Sequence, residues 1–252
     1  MKTKFHLLFE QSGTFRDVMR NNGHDALCYD IQNEYGKTDV VIDLFAEIDR
    51  EYDNLIHNAK PEFTPAHTMF TDMNPDKDFI ISFFPCTYFT NLNELRFKLW
   101  TGGKQYPMTP DRVQATIRRT HDRARTFELW TKFCFIVQEL GIPTIIENPR
   151  GVGDGRNYLM LYSHWQPSWT DTNRRNFGDK FVKPTLYFAI NFDMVEEFQM
   201  FTQHTDYKVI GSQHKRTRTP NVPKARGTKE RSEITHEYAQ KFYERFLKGK
   251  VK

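Results

Sequence analysis

Two short stretches put reactive side chains at the ends of apolar runs. In "SFFPCTYFTN" (82–91) Cys86 follows a proline directly, and in "IPTIIENPRG" (142–151) Glu147 and Asn148 close a second run. A thiol just beyond a strand, before a new element, is placed to gain thiolate character and attack carbon. A carboxyl group beside it can hold or deliver a proton. Three more acids take the same kind of position: Glu10 after "KFHLLF", Asp30 at the end of "DALCYD", and Asp43 within "DVVIDLF". A carboxylate closing a second strand suits both hydroxyls of a ribose, and one after a third strand can accept from an adenine amino group. The "SGT" turn lets the backbone approach a ligand closely. Phe9, Glu10, Ser12, Gly13, Thr14, Asp30, Ile31, Asp43, Leu44, Phe84 and Pro85 are therefore expected to line a nucleoside cofactor site. Taken singly, each acid also reads as a helix cap or turn residue. Cys28, inside a strand, and Cys134, on an apolar helix face, read as core.

The elements that must carry these groups alternate in βαβ fashion. Strands are expected at 4–10, 25–30, 39–45, 78–84, 142–148 and 184–192, with the fourth apolar throughout, as a central parallel strand should be. Helices are expected from Phe15 to Asn22 (closed by Gly23), over "AEIDREYDNLIHN", and from a Thr109 N-cap with Pro110 at the first position to Gly141. "YLMLYSHW" reads as a short helix and "ITHEYAQKFYERFLKG" as a terminal amphipathic one. The sum is a doubly wound, mostly parallel α/β sheet, whose ligands sit beyond the carboxyl ends of its strands. The expected division is a Rossmann-like core at 1–192, a small basic segment at 193–232, and a C-terminal helix at 233–252 packing back on the core.

Composition sets the outer limits. The chain has 252 residues, 38% of them hydrophobic, with 22 Phe, 11 Tyr and 4 Trp, enough for a sizeable aromatic core. No apolar run approaches the roughly 18 residues that span a bilayer, and the N-terminal apolar segment is too short for a signal peptide, so the expectation is a soluble, cytoplasmic protein. Three cysteines without a CxxC pair suit neither a disulfide framework nor a structural zinc, and no metal is expected. The net charge is +4, yet residues 208–252 hold 13 Lys/Arg against 4 Glu, leaving an acidic body with a basic end. Such asymmetry points to a polyanion partner. The basic loop at 211–232, with Lys215, Arg216, Arg218, Lys224 and Arg226, is the expected contact, as are Thr87, Tyr88 and Phe89 beside Cys86. A solvated basic tail is the plainer reading.

"FFPCTYFT" together with "IIENPRG" resembles the cytosine-C5 DNA methyltransferase family, and "LLFEQSGTF" looks like a degenerate form of its first cofactor motif. The likeness extends to compact phage- or mobile-element-borne members, through "FGDKFVKPTLYFAIN" and "KERSEITHEYAQKF". It implies S-adenosyl-L-methionine as cofactor, double-stranded DNA with a flipped base as substrate, and a restriction-modification setting. It also implies Cys86 as the nucleophile at cytosine C6 and Glu147 as the contact to N3, with Asn148 beside it. The family's Gln-x-Arg element has its nearest counterpart in "TNRRNFGD", which makes Arg174 or Arg175 the expected catalytic arginine, although no Gln lies two residues ahead of either. Glu10 and Gln11 stand where the family has Ala-Gly, and too little chain follows Glu147 for a sequence-reading module of usual size. Two alternatives stay open: the same chemistry on RNA or free nucleotides, and a silent nucleic-acid-binding module of the same fold.

Overall fold

The computed structural model describes residues 2–90, 100–101, 104–105, 109–150, 157–194, 208–209 and 233–251. The chain opens with β1 (Lys4–Leu8), α1 (Thr14–Asn21), β2 (Asp25–Asp30), β3 (Val40–Val41) and α2 (Leu44–His57). β4 (Asp78–Ser82) follows, then two short strands, β5 (Trp100–Thr101) and β6 (Lys104–Gln105), and the long helix α3 (Pro110–Glu139). After β7 (Thr144–Pro149) come α4 (Tyr158–Tyr162), β8 (Trp169–Asp171), a 3-10 turn (Arg174–Phe177), β9 (Phe181–Val182), β10 (Thr185–Ile190) and β11 (Lys208–Val209). The chain closes with α5 (His236–Phe242), which continues as a wider π-helical turn (Tyr243–Leu247).

Seven strands form one sheet in the order β3-β2-β1-β4-β7-β10-β8. All pairings from β3 to β7 are parallel, whereas β10 pairs antiparallel with both β7 and β8. Alternation along each strand divides the core in two. Leu8, Ile80, Ile146, Leu186 and Phe188 face α2 and α3, whose Ile48, Trp130 and Phe133 are fully buried there. Phe5, Leu7, Phe79, Ile81, Ile145 and Tyr187 face α1 and α5. Both faces are covered, which is why β4 and β7 read as unbroken apolar runs rather than alternating ones.

A buried polar link ties three parallel strands. The ring of His6 on β1 lies 3.0 Å through Nδ1 from the Tyr29 hydroxyl and 2.9 Å through Nε2 from Asp78 Oδ1. Burial keeps this imidazole below its ordinary pKa despite the Asp78 carboxylate. On the other face the hydroxyls of Tyr187 and Tyr238 meet at 2.7 Å, and Tyr238 donates to Asp171 Oδ2 at 2.9 Å, joining β10, α5 and β8.

The local signals act largely as expected. Gly23 takes φ 89° just past α1, and Gly141 takes φ 69° past α3, conformations that disfavour a side chain. Thr109 stands at the N-cap of α3, but its hydroxyl makes no capping bond. The expected strand over 39–45 shrinks to two residues, because Asp43 caps α2 by accepting from the backbone N–H groups of Phe45 (3.0 Å) and Ala46 (3.2 Å). Among the described residues no helix is long and apolar enough to cross a membrane.

Candidate active site

β1 and β4 are neighbours in the sheet, and the chain winds from β1 toward β3 on one side and from β4 toward β7 on the other. This is a topological switch point, where a crevice opens outside the carboxyl ends of the strands. A cleft of about 600 Å³ lies at that place. Most of its walls come from segments leaving strands: Phe9, Glu10 and Ser12 after β1, Asp30 and Ile31 at β2, Asp43 and Leu44 after β3, Phe84 to Thr87 after β4, and Glu147 and Pro149 on β7; Glu233 and Ile234, just before α5, complete them. The antiparallel β10 starts at this edge instead of ending there, so the residues just before it also reach the cleft. Lys183 enters by that route.

The loop after β1 explains why an acid occupies position 10. Glu10 is buried (6% exposed) and its Oε1 accepts from Ser12 Oγ at 2.5 Å and from the Thr14 backbone N–H at 3.2 Å. Ser12 Oγ also accepts from that N–H. The two side chains satisfy the start of α1, where Gly13 with φ 70° has no cap of its own. Burial nonetheless raises the Glu10 pKa. Gly13 and Thr14 brace this loop and do not line the cleft, unlike Glu10 and Ser12. Asp30 faces the cleft, accepts from the Gln32 N–H at 2.8 Å, and is pushed up by burial. Ile31, which is exposed, and Leu44, Phe45 and Phe84 give the same end an apolar wall.

At the other end Cys86 and Glu147 share the cleft. Cys86 is half-buried in a tight turn, its carbonyl accepting from the Phe89 N–H at 3.0 Å. A thiol of ready thiolate character is not what the site contains. Burial pushes the Cys86 thiol up, the Lys183 ammonium pulls it down, and the Glu147 carboxylate raises it further. Glu147 is 5% exposed and its Oε1 has no hydrogen-bond partner among the described residues; Lys183 Nζ stands 3.8 Å from it. A buried carboxylate oxygen left without a donor is costly unless a ligand supplies one.

Asn148 does not face the cleft. It donates from Nδ2 to the Phe84 carbonyl at 3.1 Å and accepts at Oδ1 from Asn157 at 2.9 Å. It fixes the Pro85–Cys86 turn to the end of β7, a positioning task rather than a catalytic one. The expected catalytic arginines lie elsewhere. Arg174 is fully buried, ion-paired through Nη2 with Asp179 and set 4.8 Å over the Tyr238 ring, so it holds the 3-10 turn against α5, while its Nε and Nη1 have no hydrogen-bond partner among the described residues. Arg175 sits on the same turn and also does not line the cleft. Lys183 is the cation that does. Sequence reasoning missed it because the direction of β10 is not written in its apolar pattern.

Beside Cys86, Thr87 lines the cleft, whereas Tyr88 donates its hydroxyl to Asp122 (3.0 Å) and gives its carbonyl to Arg123 (3.0 Å) on α3. Phe89 is corrected from a nucleic-acid contact to a core residue, 2% exposed and stacked between Phe84 and Tyr158. Lys215, Arg216, Arg218, Lys224 and Arg226 lie outside the described residues. No group of three His, Cys, Asp or Glu able to hold a metal occurs among the described residues. The described cleft lining carries six carboxylates (Glu10, Asp30, Glu34, Asp43, Glu147, Glu233) against the one ammonium of Lys183. No family model matches the chain, and no curated protein matches it.

Proposed function

We propose that the chain is an S-adenosylmethionine-dependent methyltransferase that acts on C5 of cytosine in DNA, with Cys86 as nucleophile. The observation that carries this reading is a single cleft in which a cysteine and a buried carboxylate with an unpartnered oxygen stand beside a nucleoside-sized pocket at the switch point. The residues present fit the cofactor. Asp30 ends β2, where ribose hydroxyls are accepted. Ile31, Leu44 and Phe84 offer an apolar wall to a purine, and an acidic lining favours a sulfonium cation. When bound, S-adenosylmethionine supplies an electrophilic methyl group.

The chain's own residues do the rest. The Cys86 thiol gives up its proton to solvent, and Sγ bonds to C6 of the cytosine, which ends the ring's aromaticity and loads electron density on C5. Glu147 Oε1, lacking a donor in the free protein, receives one from the cytosine edge and shares a proton with N3 as charge builds there. Lys183 balances Glu147 and stabilises the thiolate before attack. Once C5 carries the methyl group, it loses its proton to solvent, the electrons re-form the C5=C6 bond, the Sγ–C6 bond breaks, and Cys86 leaves as the thiolate. Asn148 keeps the two reacting groups in register through the Phe84 carbonyl.

The test is covalent capture. Duplex DNA carrying 5-fluorocytosine, which has no C5 proton to lose, is incubated with protein and S-adenosylmethionine and analysed by denaturing gel and mass spectrometry. Wild type is expected to form an adduct at Cys86, Cys86→Ala none, and Glu147→Gln at least about 100-fold less, the lower end of a general acid–base contribution. A folded wild type that forms no adduct refutes the proposal in favour of a silent binding module. Capture with fluorinated RNA alone moves the chemistry to a different substrate.

A further inference from the structure

Charge is distributed unevenly along the cleft. Glu10, Asp30, Glu34 and Asp43 belong to the end formed by β1, β2 and β3. At the other end, the one carboxylate that β7 and β10 bring to the lining is Glu147, buried and set against Lys183. The chain just outside that end is basic. Arg150 follows Pro149, a lining residue, and its backbone N–H donates to the Pro184 carbonyl at 2.9 Å, next to Lys183. Lys180 stands on the far side of the short strand β9 from Lys183. Even fully extended, the four steps from Lys180 to Pro184 cover at most about 14 Å. Arg150, Lys180 and Lys183 therefore share one rim.

Nearby acids do not balance this rim. Asp171 and Asp179 are 2% and 0% exposed and are engaged with Tyr238 and Arg174. Neither Arg150 nor Lys180 has a carboxylate within ion-pair distance among the described residues. Many basic side chains elsewhere are paired: Lys2 with Asp25, Arg20 with Asp39, Arg50 with Glu47, and Lys132 with Asp49. Lys180 is exposed, whereas Arg150 Nε is buried and has no hydrogen-bond partner among the described residues. A buried guanidinium N–H without an acceptor is costly unless a ligand supplies one. Unpaired cations beginning one residue from the wall of the Cys86 and Glu147 cleft suit a row of phosphodiesters.

We propose that the rim beyond β7 and β10, through Arg150 and Lys180, holds the phosphodiester backbone of the nucleic-acid strand whose base enters the cleft. That the base is a cytosine presented to Cys86 rests on the methyltransferase reading above; the rim itself is tested without it. Lys183 stays inside with Glu147, and the strand's charge is met outside the acidic part of the pocket. The two ends of the cleft thus divide the work, a cationic cofactor at one and an anionic strand at the other.

The experiment is the salt dependence of binding, read by fluorescence anisotropy with a labelled mixed-sequence DNA duplex. The full chain is compared with Lys180→Ala, Arg150→Ala/Lys180→Ala, Arg150→Lys and Lys77→Ala. Lys77 is exposed and precedes β4, at the opposite edge of the sheet. Each phosphate contact contributes about 0.9 to the slope of log affinity against log salt. Lys180→Ala should therefore lose about 0.9 and the double variant about 1.8. Arg150→Lys and Lys77→Ala should keep the wild-type slope. A folded double variant with an unchanged slope overturns the proposal. So does an equal loss in Lys77→Ala, a wild type that binds no nucleic acid, or an effect seen only with an acidic polypeptide. The same losses with RNA in place of DNA support the rim and change the polymer. If the slope falls as expected but wild type forms no Cys86 adduct with 5-fluorocytosine DNA, the rim stands and the methyltransferase reading goes; an adduct with an unchanged slope does the reverse.

Discussion

At the scale of single residues, the site is a thiol held between opposing charges. Burial and Glu147 keep Cys86 protonated, while Lys183 favours the thiolate. Removing the ammonium should therefore raise the thiol pKa, and removing the carboxylate should lower it. Alkylation of Cys86 by iodoacetamide, followed by mass spectrometry from neutral to strongly alkaline pH, reads this directly. Lys183→Met is expected to move the profile to higher pH and to slow alkylation about three- to tenfold at mildly alkaline pH, since one pKa unit is worth about 1.4 kcal/mol. Glu147→Gln should move it the other way. Fully buried Cys28 and Cys134 serve as unreactive internal references. A profile that ignores both substitutions would sink the view that these three groups form one electrostatic unit.

At the scale of elements, the junction of β8, β10 and α5 has its own pH signature. Asp171 ends β8 and accepts from the Tyr238 hydroxyl and, at 2.9 Å, from the Asn173 N–H; burial pushes its carboxyl up to about 6. Below the ordinary value of 3.8 both folded and unfolded chains hold the proton and the shift contributes nothing. Between there and about 6 the unfolded chain ionises first, so stability falls as pH rises; the loss levels off above the folded value, at about 3 kcal/mol. Asp171→Asn keeps an acceptor and cannot ionise. Its stability relative to wild type, from urea unfolding, should grow between pH 4 and pH 7, and a constant difference would show that Arg174 already neutralises the carboxylate.

How legible these elements were depends on how local their cause is. β1, β2, β4, β7 and the core half of α3 follow from apolar runs and from Gly23 and Gly141, all signals within a few residues. The cleft walls Glu10, Asp30, Asp43, Cys86 and Glu147 follow because a strand end is a position in sequence as well as in space. Strand direction is different. β10 was legible as a strand, but its reversal depends on which neighbours it joins, and with the reversal went Lys183. β8 is three residues long and carries no period at all. Arg174 and Arg175 matched a spacing, yet Asp179, five residues beyond Arg174, decided the outcome by taking the guanidinium into a buried pair.

At the scale of the whole molecule, charge is divided by location. The cleft is acidic while the stretch from 208 to 252 is strongly basic. An acidic cleft should prefer a cofactor that bears a positive sulfonium over its demethylated, neutral thioether product. Calorimetry with S-adenosylmethionine and S-adenosylhomocysteine is expected to show the former bound several-fold more tightly at low salt, with the gap narrowing as salt screens the field. Because burial raises the pKa values of Glu10 and Asp30, the gap should also narrow as pH falls and they take up protons. Equal affinities at low salt and neutral pH would remove the acidic lining from the account of cofactor binding.

The second core joins the two ends of the described chain. α1 is covered by α5, with Phe15 against Phe242 and Asn22 Nδ2 donating to Gln240 at 2.9 Å. On the ribosome, α1 is made more than two hundred residues before its cover. At about 5–20 residues per second that interval is roughly ten to forty seconds. Throughout it Phe15, Val18 and Met19 have nothing of their own chain to lie against on that side. The nascent chain thus carries an uncovered apolar helix for that whole interval, and the late-made α5 closes it.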